Sequence, residues 1–250
     1  MSACEYAKNM SAEEVMDKFA SAGIREYGVF QEPLVEKWNK LREEQGEIAG
    51  VVAGLNNSDT KRVLLGLLKS QSAKIFEGMA ATAYALGVKE KILVLPEEET
   101  DLAKELAKEA SKYGVQIENA FINVRKYRTY ALHHIETMLA GAEALEGTYE
   151  PGAWVSVSTE DGCGELQKVA YGTKLADIVD LDGAKAVEIG THLYTPSAAK
   201  ELVIDEDLKL GDGVITVLDT KKCLMQECEA RLLTSRKNGC GKCTFCREGL

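Results

Sequence analysis

Residues 91–124 read KILVLPEEETDLAKELAKEASKYGVQIENAFINV. KILVLP is a short apolar run closed by Pro96, the pattern of a buried strand; ETDLAKELAKEASKYG is helical in pattern; VQIENAFINV returns to a strand-like one. Two parallel strands need a crossover of about this length, so strand, helix and strand together predict a parallel sheet. Just upstream, QSAKIFEGMAATAYALG (71–87) puts Ile75, Met79, Ala83 and Leu86 on one face and stops at Gly87, a packed helix leading into the first strand. Residues 50–125 therefore read as a doubly wound, Rossmann-like α/β unit, within an α/β domain expected over residues 1–150. No phosphate loop is evident within it.

Towards the amino terminus, residues 11–22 (SAEEVMDKFASA) pair Ser11 as N-cap with Glu14 three residues on, a capping box, and Gly23 reads as the helix stop. After Glu150 the character changes. PGAWVSVSTEDGCG is rich in Gly, Ser and β-formers, and YGTKLADIVD, AKAVEIG and ELVIDED suggest a small sheet with one short helix over residues 151–210. A third segment is expected over 211–250. In it GDGVITVLD is another strand, and KKCLMQECEARLLTSRKNG is a helix with Leu224, Cys228 and Leu232 on one face, ending at Gly239.

The 250 residues are 45% hydrophobic, enough to bury a sizeable core. A formal net charge of -10 disfavours nucleic acid and anionic membranes, since nothing here replaces the counterions around phosphates. The start MSACEYAKNMSAEE lacks a secretory profile, and no apolar run approaches a membrane span, so a cytoplasmic protein without membrane insertion is expected.

Seven cysteines make a poor disulfide framework, and three crowd into GCGKCTFCREGL (239–250), at Cys240, Cys243 and Cys246. Thiolates two residues apart can converge on one metal centre, and Gly241 eases the tight backbone. Zinc sites usually show two separated pairs, whereas a run of three suits an iron–sulfur cluster whose fourth ligand comes from elsewhere; zinc or no metal are the alternatives. Lys237, Lys242 and Arg247 place positive charge around it. Cys4, Cys163, Cys223 and Cys228 are scattered, and Cys228, on the helix entering the run, is the first in-chain candidate for a fourth ligand, ahead of Cys223 and Cys163.

GCGKCTFCREGL resembles the cluster-binding signature of the NADH-binding flavoprotein subunit family of respiratory complex I, shared by NAD-linked hydrogenases, formate dehydrogenases and flavin-based bifurcating complexes. GDGVITVLDTKKCLMQ (211–226) resembles the strand before that family's cluster helix, KIFEGMAATAYALGVKEKILVL (74–95) its flavin-domain helix and strand, and YGTKLADIVDLDGAKAVEIG (171–190) its β-grasp module. The resemblance implies a 4Fe-4S cluster on Cys240, Cys243 and Cys246, redox partner subunits, and FMN and NADH in the α/β domain. It also implies a fourth cysteine in a C-terminal helical bundle that this sequence lacks.

Against it stand three departures. Where the family has a glycine-rich FMN loop, residues 22–38 read AGIREYGVFQEPLVEKW, keeping Gly28 and placing Arg25, Tyr27, Phe30 and Gln31 where the cofactor would lie. In LNNSDTKRV (55–63) Asn57 and Asp59 match an acidic flavin and nicotinamide element whose other carboxylates are absent. In RKYRTYALHHIETML (125–139) Tyr130, Glu136 and Thr137 match a third element without its glycines. FMN and NADH sites are thus expected to be degenerate. His133 and His134 could transfer protons or bind metal, but a helix-surface or core contact is the expected role. The function expected is that of an electron-transfer subunit without a catalytic side chain; the alternatives are an active FMN-dependent NADH oxidoreductase subunit and a structural adaptor holding zinc or nothing.

Overall fold

Ser11 Oγ accepts from the Glu14 N–H at 3.2 Å while Glu14 Oε2 accepts from the Ser11 N–H at 2.6 Å, so the expected capping box forms in a computed structural model. The structure describes residues 3–27, 31–57, 59, 61–159, 162–190 and 192–238. They fall into two compact units, one of Met1–Leu55 with Leu65–Glu150, the other of Asn56–Leu64 with the chain from Pro151 onward.

The first unit runs α1 (Ala3–Lys8), α2 (Ala12–Ser21), α3 (Leu34–Gln45), β1 (Gly50–Gly54), α4 (Leu65–Leu86), β2 (Glu90–Leu95), α5 (Thr100–Lys112), β3 (Gln116–Asn119), β4 (Ala131–His134) and α6 (Ile135–Glu146). Its strands lie in the order β3-β2-β1-β4, all parallel, so the stretch 91–124 does form the expected strand, crossover and strand. Two boundaries differ from the sequence pattern. The helix expected from 71 begins at Leu65, because the apolar run before Gln71 is also helical and joins across a kink there. β3 ends at Asn119, and residues 120–130 leave the sheet.

Both faces of this sheet are covered, by different means. The chain steps from β1 to β2 to β3 in one direction, so right-handed crossovers put α4 and α5 on the same face. On the other face the β3–β4 connection lays Tyr127, Ile122 and Tyr130 against Val52, Ile92 and Val94. Glycines in β1 make room for it: a Cβ at Gly50 would come within 3.0 Å of the Tyr130 ring, and one at Gly54 within 2.9 Å of Ile122.

α4 and α6 cross through small residues, and a Cβ at Gly78 would overlap the Met138 carbonyl. Gly78→Ala is therefore expected to destabilise by about 1–3 kcal/mol, although alanine is by itself the better helix former by about 1 kcal/mol. Urea unfolding checks this; an unchanged or raised midpoint would mean the helices do not pack this closely.

The second unit contains β5 (Gly152–Thr159), β6 (Gly162–Cys163), β7 (Gln167–Ala170), β8 (Thr173–Lys174), β9 (Ala184–Ile189), β10 (His192–Tyr194), α7 (Pro196–Glu201), β11 (Val203–Ile204), β12 (Val214–Asp219) and α8 (Leu224–Asn238). The main sheet runs β10-β9-β12-β5-β6, with β7 also on β5 and the β12–β5 pair parallel; β8 and β11 form a separate ladder. The mixed sheet is accompanied by one short helix, α7, with Val155, Leu175, Val187, Ala199, Ile204 and Ile215 in the core. β12, from the stretch GDGVITVLD, lies inside this sheet between β9 and β5. α8 covers the helix expected before the cysteines.

Residues 56–64 belong to this second unit. Lys61 Nζ donates to Thr216 Oγ1 at 2.7 Å, and Asp59 Oδ2 accepts from the Asn56 N–H at 2.9 Å. Burial, with the Asp59 charge adding to it, pushes the Asp212 carboxyl up from 3.8 to about 6, against the pull of the Val214 N–H and Lys61. The folded chain thus holds this proton at pH values where the unfolded chain has released it, so the stability the group contributes is full below 3.8 and is lost as pH rises through about 6. Asp212→Asn is expected to stabilise by about 1–3 kcal/mol near pH 7.5 and by almost nothing near pH 4. Equal effects at both pH values would contradict the assignment.

Candidate functional site

Cys240, Cys243 and Cys246 lie outside the described residues, as do Lys242 and Arg247 and, in the first unit, Gly28 and Phe30. Of the other candidate ligands, Cys163 on β6 and Cys223 before α8 are exposed, and Cys228 is half-buried in α8. The Cys223 thiol is pulled below its ordinary range by the backbone N–H groups of Gln226 and Met225 at the start of α8. Among the described residues no three His, Cys, Asp or Glu side chains gather as a metal site.

The segments 22–38 and 125–139, in contrast, do meet, inside the first unit. Residues 24–26 lie alongside 32–34: Glu26 N–H donates to the Glu32 carbonyl at 2.8 Å, Leu34 N–H to the Ile24 carbonyl at 3.0 Å, and Arg25 pairs with Pro33 as a β-bridge. Arg25 donates from Nε and Nη2 to the Gln31 carbonyl at 3.0 and 2.6 Å. Alternation at the bridge sends the next side chain, Glu26, inward, where it is 6% exposed.

Four donors converge on the Glu26 carboxylate. Oε1 accepts from the His134 N–H at 2.8 Å and the Thr137 hydroxyl at 2.7 Å; Oε2 accepts from Lys37 Nζ at 2.7 Å and lies 2.5 Å from His133 Nδ1. Lys37 also donates to the Leu132 carbonyl at 2.5 Å, and Thr137 Oγ1 accepts from the Tyr27 N–H at 3.0 Å. His133 Nε2 faces Trp38 Nε1 at 2.9 Å. An indole nitrogen only donates, so Nε2 must be the acceptor and the ring proton sits on Nδ1, donating to Glu26. Trp38, fully buried between Phe19 and His133, thereby fixes both the tautomer and the neutrality of His133.

The electrostatics agree. Burial holds His133 below its usual range, the Lys37 charge adds to this, and Glu26 only partly offsets it. Burial alone would raise the Glu26 carboxyl, but Lys37, His133 and the His134 N–H together hold it well below the carboxylate range. The group is an ionised carboxylate compensated by one ammonium.

Its position is set by topology. From β1 the chain moves outward to β2 and β3 and then returns to β4 on the opposite side of β1, so the β1–β4 boundary is the switch point, where open parallel sheets bind ligands at the carboxyl ends of their strands. α6 starts there directly from β4, with His134 as N-cap, its Nδ1 accepting from the Glu136 N–H at 3.3 Å. The amino end of such a helix attracts anions. Here the anion is Glu26.

The sequence pattern singled out Glu136, Thr137 and the two histidines, and these do lie together, His133 and His134 as core contacts on a strand end. Glu26, Lys37 and Trp38 carried no local signal. Of the remaining candidates Tyr27 is buried beside Thr137, Asn57 is exposed, Asp59 is buried in the second unit, and Tyr130 Oη donates to Glu90 at 2.8 Å.

No protein-family model matches the sequence. Solved structures do match its fold. A chain of an NAD+-reducing [NiFe]-hydrogenase in the H2-reduced state aligns with a TM-score of 0.75 at 17% identity, covering 100% of this chain and 54% of the hydrogenase chain. A chain of an NAD+-reducing [NiFe]-hydrogenase in the air-oxidized state aligns with a TM-score of 0.73 at 18% identity, covering 96% and 52%. This chain spans about half the length of those it matches.

Proposed function

We propose that the chain is an electron-transfer subunit of a multi-subunit redox complex, carrying a 4Fe-4S cluster on Cys240, Cys243 and Cys246 and performing no hydride chemistry of its own. The observation that carries this reading is the three-cysteine run directly behind α8, in a chain that shares its fold with the NAD+-reducing hydrogenase chains. Three thiolates at this spacing suit three of a cluster's four ligand positions, and the fourth is supplied by Cys228 or by another segment or subunit. When bound, such a cluster supplies one-electron transfer. Lys237, Lys242 and Arg247 offset the negative charge of the thiolates.

FMN does not suit the first unit. The His134 N–H and the Thr137 hydroxyl at the start of α6 are engaged by Glu26 and are not free to hold a flavin phosphate. Partners are other redox subunits, in the cytoplasm; the net charge of -10 argues against nucleic acid. Among the described residues no helix is long and apolar enough to cross a membrane.

The test is the iron and acid-labile sulfide content of full-length protein purified anaerobically with its partner chains. About four of each per chain are expected. Absence of iron after anaerobic reconstitution sinks the reading, and zinc in its place favours a structural adaptor.

A further inference from the structure

We infer that Glu26 is an internal substitute for an anionic ligand: its carboxylate fills a preformed cradle at the amino end of α6, built to hold a phosphomonoester or carboxylate, and so closes the sheet's switch point to FMN. The cradle consists of the His134 N–H, the Thr137 hydroxyl, the Lys37 ammonium and the His133 Nδ1–H. These donors come from α3, β4 and α6, whereas the acceptor, Glu26, comes from the segment between α2 and α3. A carboxylate has about four acceptor sites, and all of them are used. Backbone amide, hydroxyl, ammonium and imidazole donors at a helix start are also what a phosphate ester takes in parallel α/β sheets. Trp38 contributes by holding the His133 proton on the cradle side.

A free anion must therefore displace a tethered one, whose effective concentration is in the mM range or above. This deepens the proposed function by giving an atomic cause for the lack of hydride chemistry proposed there, yet it rests on no cysteine. Loss of the cluster reading and loss of this inference would show in different experiments.

The test removes the tethered anion and offers a free one. Thermal unfolding of the full chain and of Glu26→Ala and Glu26→Gln is followed in formate, inorganic phosphate or FMN, against chloride at matched ionic strength. Glu26→Ala is expected to gain a saturable rise in midpoint with formate or phosphate, while the wild type and Glu26→Gln, whose cradles stay filled, show none. If Glu26→Ala does not fold in chloride, recovery of folded protein by formate is the expected result. A Glu26→Ala variant that responds to formate no more than the wild type, or that is recovered by no anion, overturns the inference. Independently of any variant, wild-type protein is expected to leave FMN fluorescence unchanged, and saturable quenching by one equivalent of protein would overturn it. FMN binding to Glu26→Ala with a higher affinity than inorganic phosphate identifies the cradle as a flavin-phosphate site; equal affinities identify a general anion site, and either result supports it.

Discussion

Lys37→Met is expected to destabilise the first unit by about 3–5 kcal/mol near pH 7.5 and by much less near pH 4. Methionine keeps most of the aliphatic stem, so packing changes little; what is lost is the one cation that compensates Glu26. The carboxylate keeps the His133, His134 and Thr137 donors but is left as a buried, uncompensated charge. His133 cannot replace the lost cation, because the Trp38 N–H occupies the nitrogen where a second proton would go. With Lys37 absent, the folded-state proton affinity of Glu26 rises, so the penalty is full at neutral pH and is relieved as the carboxyl takes up a proton on acidification.

The wild type follows a different profile. Both Glu26 and His133 are held below their ordinary values of 4.5 and 6.5, so the unfolded chain binds more protons. Stability is expected to fall as pH drops below 6.5, through His133, and again below 4.5, through Glu26. Urea unfolding at both pH values checks the pair. A loss below about 1 kcal/mol at neutral pH would class Lys37–Glu26 with ordinary surface ion pairs.

Cys243→Ser is expected to lower the iron content of anaerobically reconstituted protein by more than about tenfold, since even groups that only support metal ligands commonly change affinity by 10–100-fold. Serine has nearly the same shape but no accessible anion at neutral pH, so the comparison isolates thiolate ligation from packing. Cys228→Ser tested beside it assigns the fourth ligand: an equal loss places Cys228 on the cluster, and unchanged iron puts the ligand elsewhere. Full iron content in Cys243→Ser would remove the run 240–246 as the cluster site.

The frame of the first unit was legible because its signals are local. The capping box spans four residues, and residues 91–124 carry their strand, crossover and strand in a single period change. β4 was not legible. ALHH is four residues long, and half of it is histidine, which is polar in any composition-based pattern; it is buried because it pairs with β1, more than seventy residues away in the chain. Glu26 and His133 are separated by 107 positions, and a single Glu between Arg25 and Tyr27 looks like any solvated carboxylate until the fold encloses it. What the sequence pattern did convey was bulk in 22–38, at Arg25, Tyr27 and Gln31. The structure adds what two other residues of that stretch do: Glu26 and Trp38 complete the polar network around His133.

The most direct test is reduction of the full-length protein, reconstituted anaerobically and freed of partner chains, followed by visible absorbance and electron paramagnetic resonance. Dithionite is expected to bleach the iron–sulfur absorbance and produce a reduced-cluster signal, whereas NADH, with or without added FMN, leaves both unchanged. Bleaching by NADH would contradict the account, because it requires a working flavin and hydride site, which the proposed function denies to this chain.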